Sequence, residues 1–452
     1  MAGPDMSVPI DRVPPAAARR LSSWRMLADT FTVGGWTAAV KVMGAAKVIL
    51  AARLFGAGDA MDAYLIAFLA PSFFIDVFGG SLDSALIPSL IEARQKQGRA
   101  AAEALYASVL ASAGAALLLA ALMTAALSGW LVPALATGFA PEKLAFTRHL
   151  LLLMIAVAPL NAMSSTWRAV LNSEHQFAYA AAVPIITPLV SIAAILTAGR
   201  SYGVEALAVA TVAGGALEVV LSGARAWRTG YPLLPHWGGL TAELRHTMEQ
   251  YAPLVAMALV VSGSAVIDQA MAGHLHSGSV AALSYGTRLL GVLIVIGPTA
   301  VGTAILPHLS AAALVGDRSA VRATLRSYGL AALALILPAT GMLIYFSEPI
   351  VRVLFQQGAF GYEATRLVAA VQRASLLQLP LSVLLALEIR LTSAWKANHL
   401  LYRVAALSLL LTCALDLVFM RWFGVVGIAL AGVVTRLVSS LYLSCKIYVL
   451  RA

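Results

Sequence analysis

The sequence predicts an all-α integral membrane protein with about twelve transmembrane helices. Of its 452 residues, 60% are hydrophobic and only 12% are charged, which is more apolar than the core of a soluble protein requires. The apolar residues form segments of roughly 20 residues, the length of a helix that crosses a hydrocarbon core of about 30 Å. The second half of the chain also repeats features of the first, which predicts two six-helix lobes.

The apolar segments, taken in chain order, set the limits of the predicted elements. The predicted spans are 30–53, 62–91, 104–128, 146–168, 178–199, 203–224, 249–272, 279–307, 326–346, 364–390, 401–420 and 425–447. The predicted domains are a cytoplasmic tail rich in Pro, Ala and Arg (1–28), an N-lobe (29–224), an interfacial linker with Pro, Gly and Trp (225–248) and a C-lobe (249–452). The tail is expected to be disordered, with a short interfacial helix at its end as the alternative.

Basic residues between the spans predict the orientation. With the N-terminus inside, most of the Lys and Arg residues outside the spans fall in cytoplasmic segments, as they do in membrane proteins generally. Arg168, at the end of the fourth span, is assigned to a cytoplasmic segment as well. This distribution predicts that both termini are cytoplasmic. It also explains the net charge of +10 without nucleic acid as a partner.

The internal repeat has an offset of about 220 residues. The segment LAARLFGAGDAMDAYLIAF after the first span parallels MAGHLHSGSVAALSYGTRL after the seventh, so that Tyr64 corresponds to Tyr285, and Arg168 corresponds to Arg390. Two lobes in the same orientation are related by an axis along the membrane normal. This arrangement predicts a central cavity and transport by alternating access.

Three of the basic residues inside predicted spans, where each costs about 2.5–3.5 kcal/mol to insert, are candidates for substrate binding. Lys41 and Lys47 belong to the first span and Arg288 to the eighth. If they converge on the cavity, they predict a site for a phosphate or pyrophosphate group. The alternatives are that Lys47 extends to the membrane surface, that Lys41 pairs with an acid, and that Arg288 forms a structural ion pair. Arg53, at the outer end of the first span, is a further candidate for substrate binding.

Acidic residues also occur in the spans. Thr412 and Asp416 share a helix face because they are four residues apart, and with Asp268 they predict a cation site, for Na⁺, or a proton relay. An ordinary hydrogen bond between helices is the alternative. The chain contains no phosphate-binding P-loop, so ATP is not expected to drive transport. The sequence predicts a transporter without a cofactor, and not an enzyme.

Several segments together resemble the MviN/MurJ family of lipid II flippases, in the multidrug/oligosaccharidyl-lipid/polysaccharide exporter superfamily. They include KVMGAAKVILAARLFGAGDAMDAY, AVLNSEHQFAYAAAVPIITP, VIDQAMAGHLHSGSVAALSYGTRL and EPIVRVLFQQGAFGYEAT. The resemblance implies two six-helix bundles around a cationic cavity. By position, Lys41, Lys47 and Arg288 match arginines of the family, and Asp268, Thr412 and Asp416 fall where some members bind sodium.

The chain also departs from this family pattern. Asp76 stands where the second helix of the family has an arginine pair, and Thr287 replaces an acid beside the arginine of the eighth helix. Gly432 replaces a threonine that belongs to the sodium site of the family. The family's two extra C-terminal helices have no counterpart after the twelfth span. These departures leave the cargo open within the class of anionic lipid-linked sugars.

The predicted function is a flippase that moves an undecaprenyl-pyrophosphate-linked saccharide across the bacterial cell membrane. The cargo is either lipid II or a polysaccharide repeat unit, and membrane lipids and enzymes of glycan synthesis are the other expected partners. One alternative is a cation-coupled multidrug exporter of the same superfamily, although a lysine-bearing cavity disfavours its often cationic substrates. The other is a membrane scaffold that does not transport and recruits glycosyltransferases through its basic loops.

Overall fold

The structure is a computed structural model, and its described part comprises residues 15–233, 239, 242–294, 318–394 and 397–449. This part is helical apart from short connections. The helices are α1 (Pro15–Phe55), α2 (Asp59–Phe74), α3 (Gly80–Gln97), α4 (Arg99–Leu135), α5 (Pro141–Met154), α6 (Val157–Ser173), α7 (Phe177–Ala182), α8 (Ile186–Thr197), α9 (Gly199–Arg228), α10 (Ala242–Ala272), α11 (Ser279–Gly286), α12 (Arg318–Tyr345), α13 (Ser347–Phe355), α14 (Tyr362–Leu376), α15 (Gln378–Ala394) and α16 (Asn398–Val449). A π-helical turn, Ile75–Gly79, joins α2 to α3, and a 3₁₀ turn, Val183–Ile185, joins α7 to α8.

Eight helical segments of the described part are long and apolar enough to cross a membrane. A ninth is formed if Gly329–Tyr345 and Ser347–Phe355, which are bent by 59° relative to each other, count as one broken span. The prediction of an all-α, multi-pass membrane protein is therefore confirmed.

The difference from the predicted twelve spans has identifiable causes. The long helix α16 contains both the eleventh and the twelfth predicted span. The first predicted span, in α1, carries the basic residues discussed above. The helix that begins with α11 is described only to Ile294, so the rest of the eighth predicted span lies outside the described residues. The twelve-span layout with two lobes therefore stays a prediction.

The two halves of the chain share local geometry at corresponding positions. Gly203 in α9 has φ 60° and ψ −143°, and Gly424 in α16 has φ 57° and ψ −138°. The positive φ at each position favours glycine, and the helix axis is kinked there. Because the two glycines lie 221 residues apart by number, the repeat in the sequence corresponds to a repeat in the backbone.

The first helix begins earlier than the sequence predicts. Residues 15–28, which belong to the predicted disordered tail, form the start of α1. Pro15 occupies the first helical position, which proline favours, and the segment that follows is rich in the helix formers Ala, Arg, Leu and Met. Residues 15–28 of the predicted tail are therefore helical, the tail as a separate part of the chain stays a prediction, and residues 1–14 lie outside the described part.

The start of the predicted linker is fixed to the N-terminal half of the chain, by which we mean the helices α1–α9. Tyr231 is fully buried, and its hydroxyl donates to Glu174 Oε1 at 3.1 Å. Burial and the charge of Glu174 raise the pKa of Tyr231 to about 12, so the phenol remains a donor at neutral pH. Arg99 Nη2 donates to the carbonyl of Thr229. Residues 234–238 and 240–241 of the linker lie outside the described part.

One end of the molecule is closed by packing between the halves, where the C-terminal half means the helices from α10 onward. Ala52 of α1, Tyr285 of α11, Phe355 of α13 and Phe360 belong to one buried cluster. The Tyr285 ring stacks on Phe355 with ring centroids 5.4 Å apart. We call this region, with the loops that follow α1, α4, α10 and α13, the closed end.

A buried carboxylate also joins the halves at the closed end. Asp62 of α2 is fully buried, and its carboxylate accepts the backbone N–H of Gly278 at 2.7 Å and of Ala281 at 2.9 Å. Both amides lie at the start of α11, where a helix has N–H groups without internal partners. Lys143 Nζ lies 3.1 Å from Asp62 Oδ2 and 2.5 Å from Asp59 Oδ1. An acid of one half therefore caps a helix of the other.

Candidate functional site

A cavity of about 1480 Å³ lies between the two halves. Its wall includes residues 34–47 of α1, and the packing of the closed end begins a turn later, at Ala51. The cavity is larger than the roughly 300–1,000 Å³ of sites for drug-sized ligands. Basic side chains outnumber acidic ones in its wall, and the charged residues there are Lys41, Lys47, Arg168, Glu218, Asp268, Arg288 and Arg436.

Lys47 and Arg288 approach each other across the cavity from opposite halves. The two side chains are close enough for their positive charges to repel. Lys47 is half-buried, and Arg288 is exposed to the interior of the cavity. In the described part of the chain, no carboxylate offsets either charge. Two cations held together in this way provide a site for an anion.

Lys41 lies on the same wall, about 9 Å from Lys47 along the helix. Its side chain is exposed, and the carboxylate of Asp76 is near enough to attract it. Asp76 belongs to the π-helical turn, and the hydroxyl of Tyr251 donates to the carbonyl of Phe78 in that turn at 3.0 Å. The acid that the family pattern does not contain is therefore a neighbour of Lys41.

Arg53 is not part of the cavity wall, and the structure does not support the prediction that it binds substrate there. Its guanidinium lies at the closed end, where Nε donates to the carbonyl of Leu354 at 2.9 Å and Nη2 to that of Val353 at 3.1 Å. An arginine at the end of a helix has a long side chain that can satisfy carbonyl groups of a neighbouring helix terminus. Arg53 therefore connects the two halves.

The two candidate coupling acids come together in the C-terminal half. The carboxyl groups of Asp268 in α10 and Asp416 in α16 lie within hydrogen-bonding reach of each other. Asp416 is fully buried, and Thr412 is buried on the same helix and lines the cavity. Asp268 lines the cavity as well, and the role of the three residues stays a prediction.

Two residues that the sequence did not single out complete this cluster. The side chain of Gln378 lies where a side chain at Gly432 would be, since a Cβ added there would be 2.7 Å from Gln378 Nε2. Gln378 donates to the carbonyl of Ala429 at 2.9 Å and accepts a hydrogen bond from Arg436. The charge of Arg436 in turn acts on Asp268.

These contacts bear on the predicted sodium ion, which prefers oxygen ligands as other hard cations do. Position 432 provides no side-chain oxygen, and the amide and guanidinium groups of Gln378 and Arg436 bring hydrogen-bond donors and a positive charge to the acid pair. The residues present therefore do not complete a sodium site.

Arg168 and Glu218 form a further pair in the wall of the N-terminal half. Arg168 was assigned to a cytoplasmic segment by the sequence, but it lines the cavity. Its Nη1 donates to Ser164 Oγ at 3.0 Å and its Nη2 to Ser165 Oγ at 2.9 Å. Glu218 Oε1 accepts hydrogen bonds from the Thr187 hydroxyl at 2.6 Å and the Thr187 N–H at 3.3 Å.

Comparison with known proteins identifies the family. A sequence profile described as "Lipid II flippase MurJ" matches residues 51–449. The chain belongs to the MurJ family. This confirms the resemblance seen in the sequence, and it confirms that the protein is of a transporter class and not of an enzyme class.

Relatives of this MurJ-family chain are found in several bacteria. The lipid II flippase MurJ of Burkholderia cenocepacia is 29% identical over 349 residues, which are 75% of this chain and 67% of the relative. The probable lipid II flippase MurJ of Rhizobium tropici is 28% identical over 430 residues, which are 92% of this chain and 80% of the relative.

Solved structures share the fold. A structure described as lipid II flippase MurJ in an inward closed conformation has a TM-score of 0.79 at 21% identity and covers 92% of this chain and 87% of its own. An inward-facing multidrug transporter of the MATE family and MOP superfamily has a TM-score of 0.72 at 12% identity, and the match covers 91% of this chain and 95% of the transporter. The MurJ fold of this chain is thus shared with multidrug transporters, and the wall of the cavity must distinguish the cargo.

Proposed function

We propose that this protein is a flippase that carries lipid II, an undecaprenyl-pyrophosphate-linked saccharide, across the inner membrane of a bacterial cell. The observation that carries the proposal is the pair Lys47 and Arg288, two cations that face each other inside the cavity and for which the described residues provide no carboxylate partner. The curated relatives, which are described as lipid II flippases, support lipid II over a polysaccharide repeat unit.

The chemistry of the pair suits a pyrophosphate. Lys47 contributes a compact ammonium charge, and Arg288 contributes a planar fork of N–H donors that matches two phosphate oxygens. A cationic substrate of a multidrug exporter would instead face repulsion from both side chains. The remaining volume of the cavity accommodates the saccharide, because the lipid tail can stay in the bilayer.

Alternating access gives the closed end its role in this proposal. We assign the closed end to the outer side of the membrane and both termini to the cytoplasm, in line with the distribution of basic residues. The two halves correspond to the predicted lobes, 29–224 and 249–452. Cargo then enters from the cytoplasmic side, and release requires the contacts of Asp62, Arg53 and the aromatic cluster to separate.

Coupling to a cation gradient is assigned to the acid pair Asp268 and Asp416. The closeness of the two carboxyl groups in a buried setting supports this assignment, because neighbouring carboxyl groups cannot both carry a negative charge there without a counter-ion or a proton. Binding of glycan-synthesis enzymes to the basic loops stays a prediction.

A flipping assay in proteoliposomes tests the proposal. We expect Lys47→Gln and Arg288→Gln each to lower the rate of lipid II flipping per folded molecule by about tenfold or more, because a charge-assisted contact is lost. Lys41→Arg should keep most of the rate, since it retains the charge. Arg245→Gln is the control, because Arg245 is an exposed residue paired with Glu249. Parent-like rates in both cavity variants would refute the anion site.

A further inference from the structure

The wall of the N-terminal half contains a polar gap that the pyrophosphate site does not use. Arg168 and Glu218 line the cavity with side chains that are 14% and 9% exposed. The distance from Arg168 Nη1 to Glu218 Oε2 is 4.0 Å, which is longer than a hydrogen bond. The two groups therefore face each other without direct contact.

Neighbouring side chains hold both groups in place. Ser164 and Ser165 accept hydrogen bonds from the guanidinium, as described above, and Thr187 donates to Oε1 of Glu218. Oε2 accepts no hydrogen bond from a donor in the described part of the chain. A guanidinium has five N–H donors, so Arg168 also retains donors beyond the two that the serines take.

The size of the gap selects the kind of group that fits. If an oxygen atom lies about 2.8 Å from both Nη1 and Oε2, the angle Nη1···O···Oε2 at that oxygen is about 90°, which a hydroxyl group tolerates. Such a hydroxyl accepts from Arg168 and donates to Glu218. An anion would be repelled by Glu218 and a cation by Arg168, so the gap favours a neutral group that both donates and accepts.

We propose that Arg168 and Glu218 bind a hydroxyl group of the saccharide that the lipid carries. This inference rests on the proposed function, since the sugar enters the cavity attached to the pyrophosphate. It assigns separate tasks to the two parts of the wall. Lys47 and Arg288 bind the pyrophosphate of any polyprenyl carrier, whereas Arg168 and Glu218 distinguish a carrier with sugar from one without.

Binding of two ligands to the full chain in nanodiscs separates these tasks. The ligands are lipid II and undecaprenyl pyrophosphate, which has the same anion and no sugar. We expect Glu218→Gln and Arg168→Gln to weaken binding of lipid II by about tenfold and to leave the affinity for undecaprenyl pyrophosphate unchanged. Lys47→Gln should weaken binding of both ligands.

Matched variants control for folding. Glu388 is a partly buried glutamate of the C-terminal half that accepts hydrogen bonds from Ser440 and Ser444 and does not line the cavity, so Glu388→Gln should bind both ligands as the parent does. If Glu218→Gln fails to fold, Thr187→Val is the substitute, because it removes the hydroxyl that positions Glu218. It should weaken binding of lipid II by less than Glu218→Gln and leave the affinity for undecaprenyl pyrophosphate unchanged.

The outcomes distinguish this inference from the proposed function. A parent protein that binds neither ligand would refute the proposed function itself. If the parent binds both and the Arg168 and Glu218 variants bind lipid II as well as the parent does, the gap holds water only and the inference is wrong. Equal weakening for the two ligands would also overturn it, because the pair would then act on the anion or on the fold.

Discussion

Asp62 provides the sharpest test of how the closed end is held together. Its carboxylate accepts two backbone N–H groups from α11 and lies 3.1 Å from the ammonium of Lys143. The substitution Asp62→Asn keeps the size of the side chain but removes the charge, and it places an NH₂ group against donors. We expect this change to weaken the closed end specifically.

The magnitude follows from these contacts. Hydrogen bonds to a charged group contribute about 1.5–3 kcal/mol each, and removal of one partner from a buried ion pair costs about 3–5 kcal/mol. Asparagine retains one acceptor oxygen, and Lys143 retains Asp59, so the lower end of this range applies. A loss of about 3 kcal/mol shifts the ratio of closed to open molecules roughly 100-fold toward open.

Distance measurements between spin labels can detect the shift. Glu142 and Gln357 are exposed at the closed end, one in each half, and cysteines there can be labelled once Cys413 and Cys445 are replaced by Ser. We expect the parent to show one short distance and Asp62→Asn to show an additional, longer one.

The control is Asp59→Asn. The Asp59 side chain is 66% exposed and pairs with Lys143 and Ser277. Its substitution should therefore change the free-energy difference between closed and open molecules by less than about 1 kcal/mol. An unchanged distance distribution in Asp62→Asn would refute the reasoning, and so would equal effects of the two substitutions.

Three further predictions concern the helix kink, the acid pair and the sodium site. Gly424→Ala should destabilise the protein by about 1–3 kcal/mol, because alanine is strained at φ 57° and ψ −138°, whereas nothing lies within 4 Å of the added Cβ. The control Gly361→Ala, at a φ of −77°, should unfold at the same temperature as the parent. Equal thermal stability of the two variants would contradict the prediction. Asp416→Asn should weaken the dependence of flipping on an imposed proton or sodium gradient, and parent transport that ignores both gradients would remove the coupling proposal. Exchange of potassium for sodium should leave the unfolding temperature of the parent unchanged, because Gln378 fills the space beside Gly432. A higher unfolding temperature in sodium would show that the ion binds.

The sequence predicts the cationic wall of the cavity well because charges in apolar segments are conspicuous. Lys41, Lys47 and Arg288 all line the cavity, and the repeat indicates that they come from opposite halves. The sequence does not decide the surroundings of Arg53, because a residue at the end of a span can face either the cavity or a neighbouring loop.

Other features of the site depend on contacts that the sequence does not reveal. Arg168 was assigned to a loop because it follows an apolar segment, yet its helix extends to Ser173 and turns the guanidinium toward Glu218, fifty residues further along. Gln378 resembles any polar residue at a helix start, and only the fold places it against Gly432. Helical periodicity gives the face of a helix, but its partner comes from tertiary packing.

Part of the seal at the closed end is made by main chain, and this has a consequence for evolution. A Cβ at Gly56 would lie 2.7 Å from the carbonyl oxygen of Ala359, and one at Gly278 would lie 2.5 Å from that of Ala57. Peptide groups therefore touch across the halves where side chains would hold them apart. Because every residue type carries the same peptide group, sequences can diverge widely around this seal while the shape of its contact surface persists. Substitution is restricted at Gly56 and Gly278 themselves, because even one added methyl group would collide with the facing carbonyl oxygen.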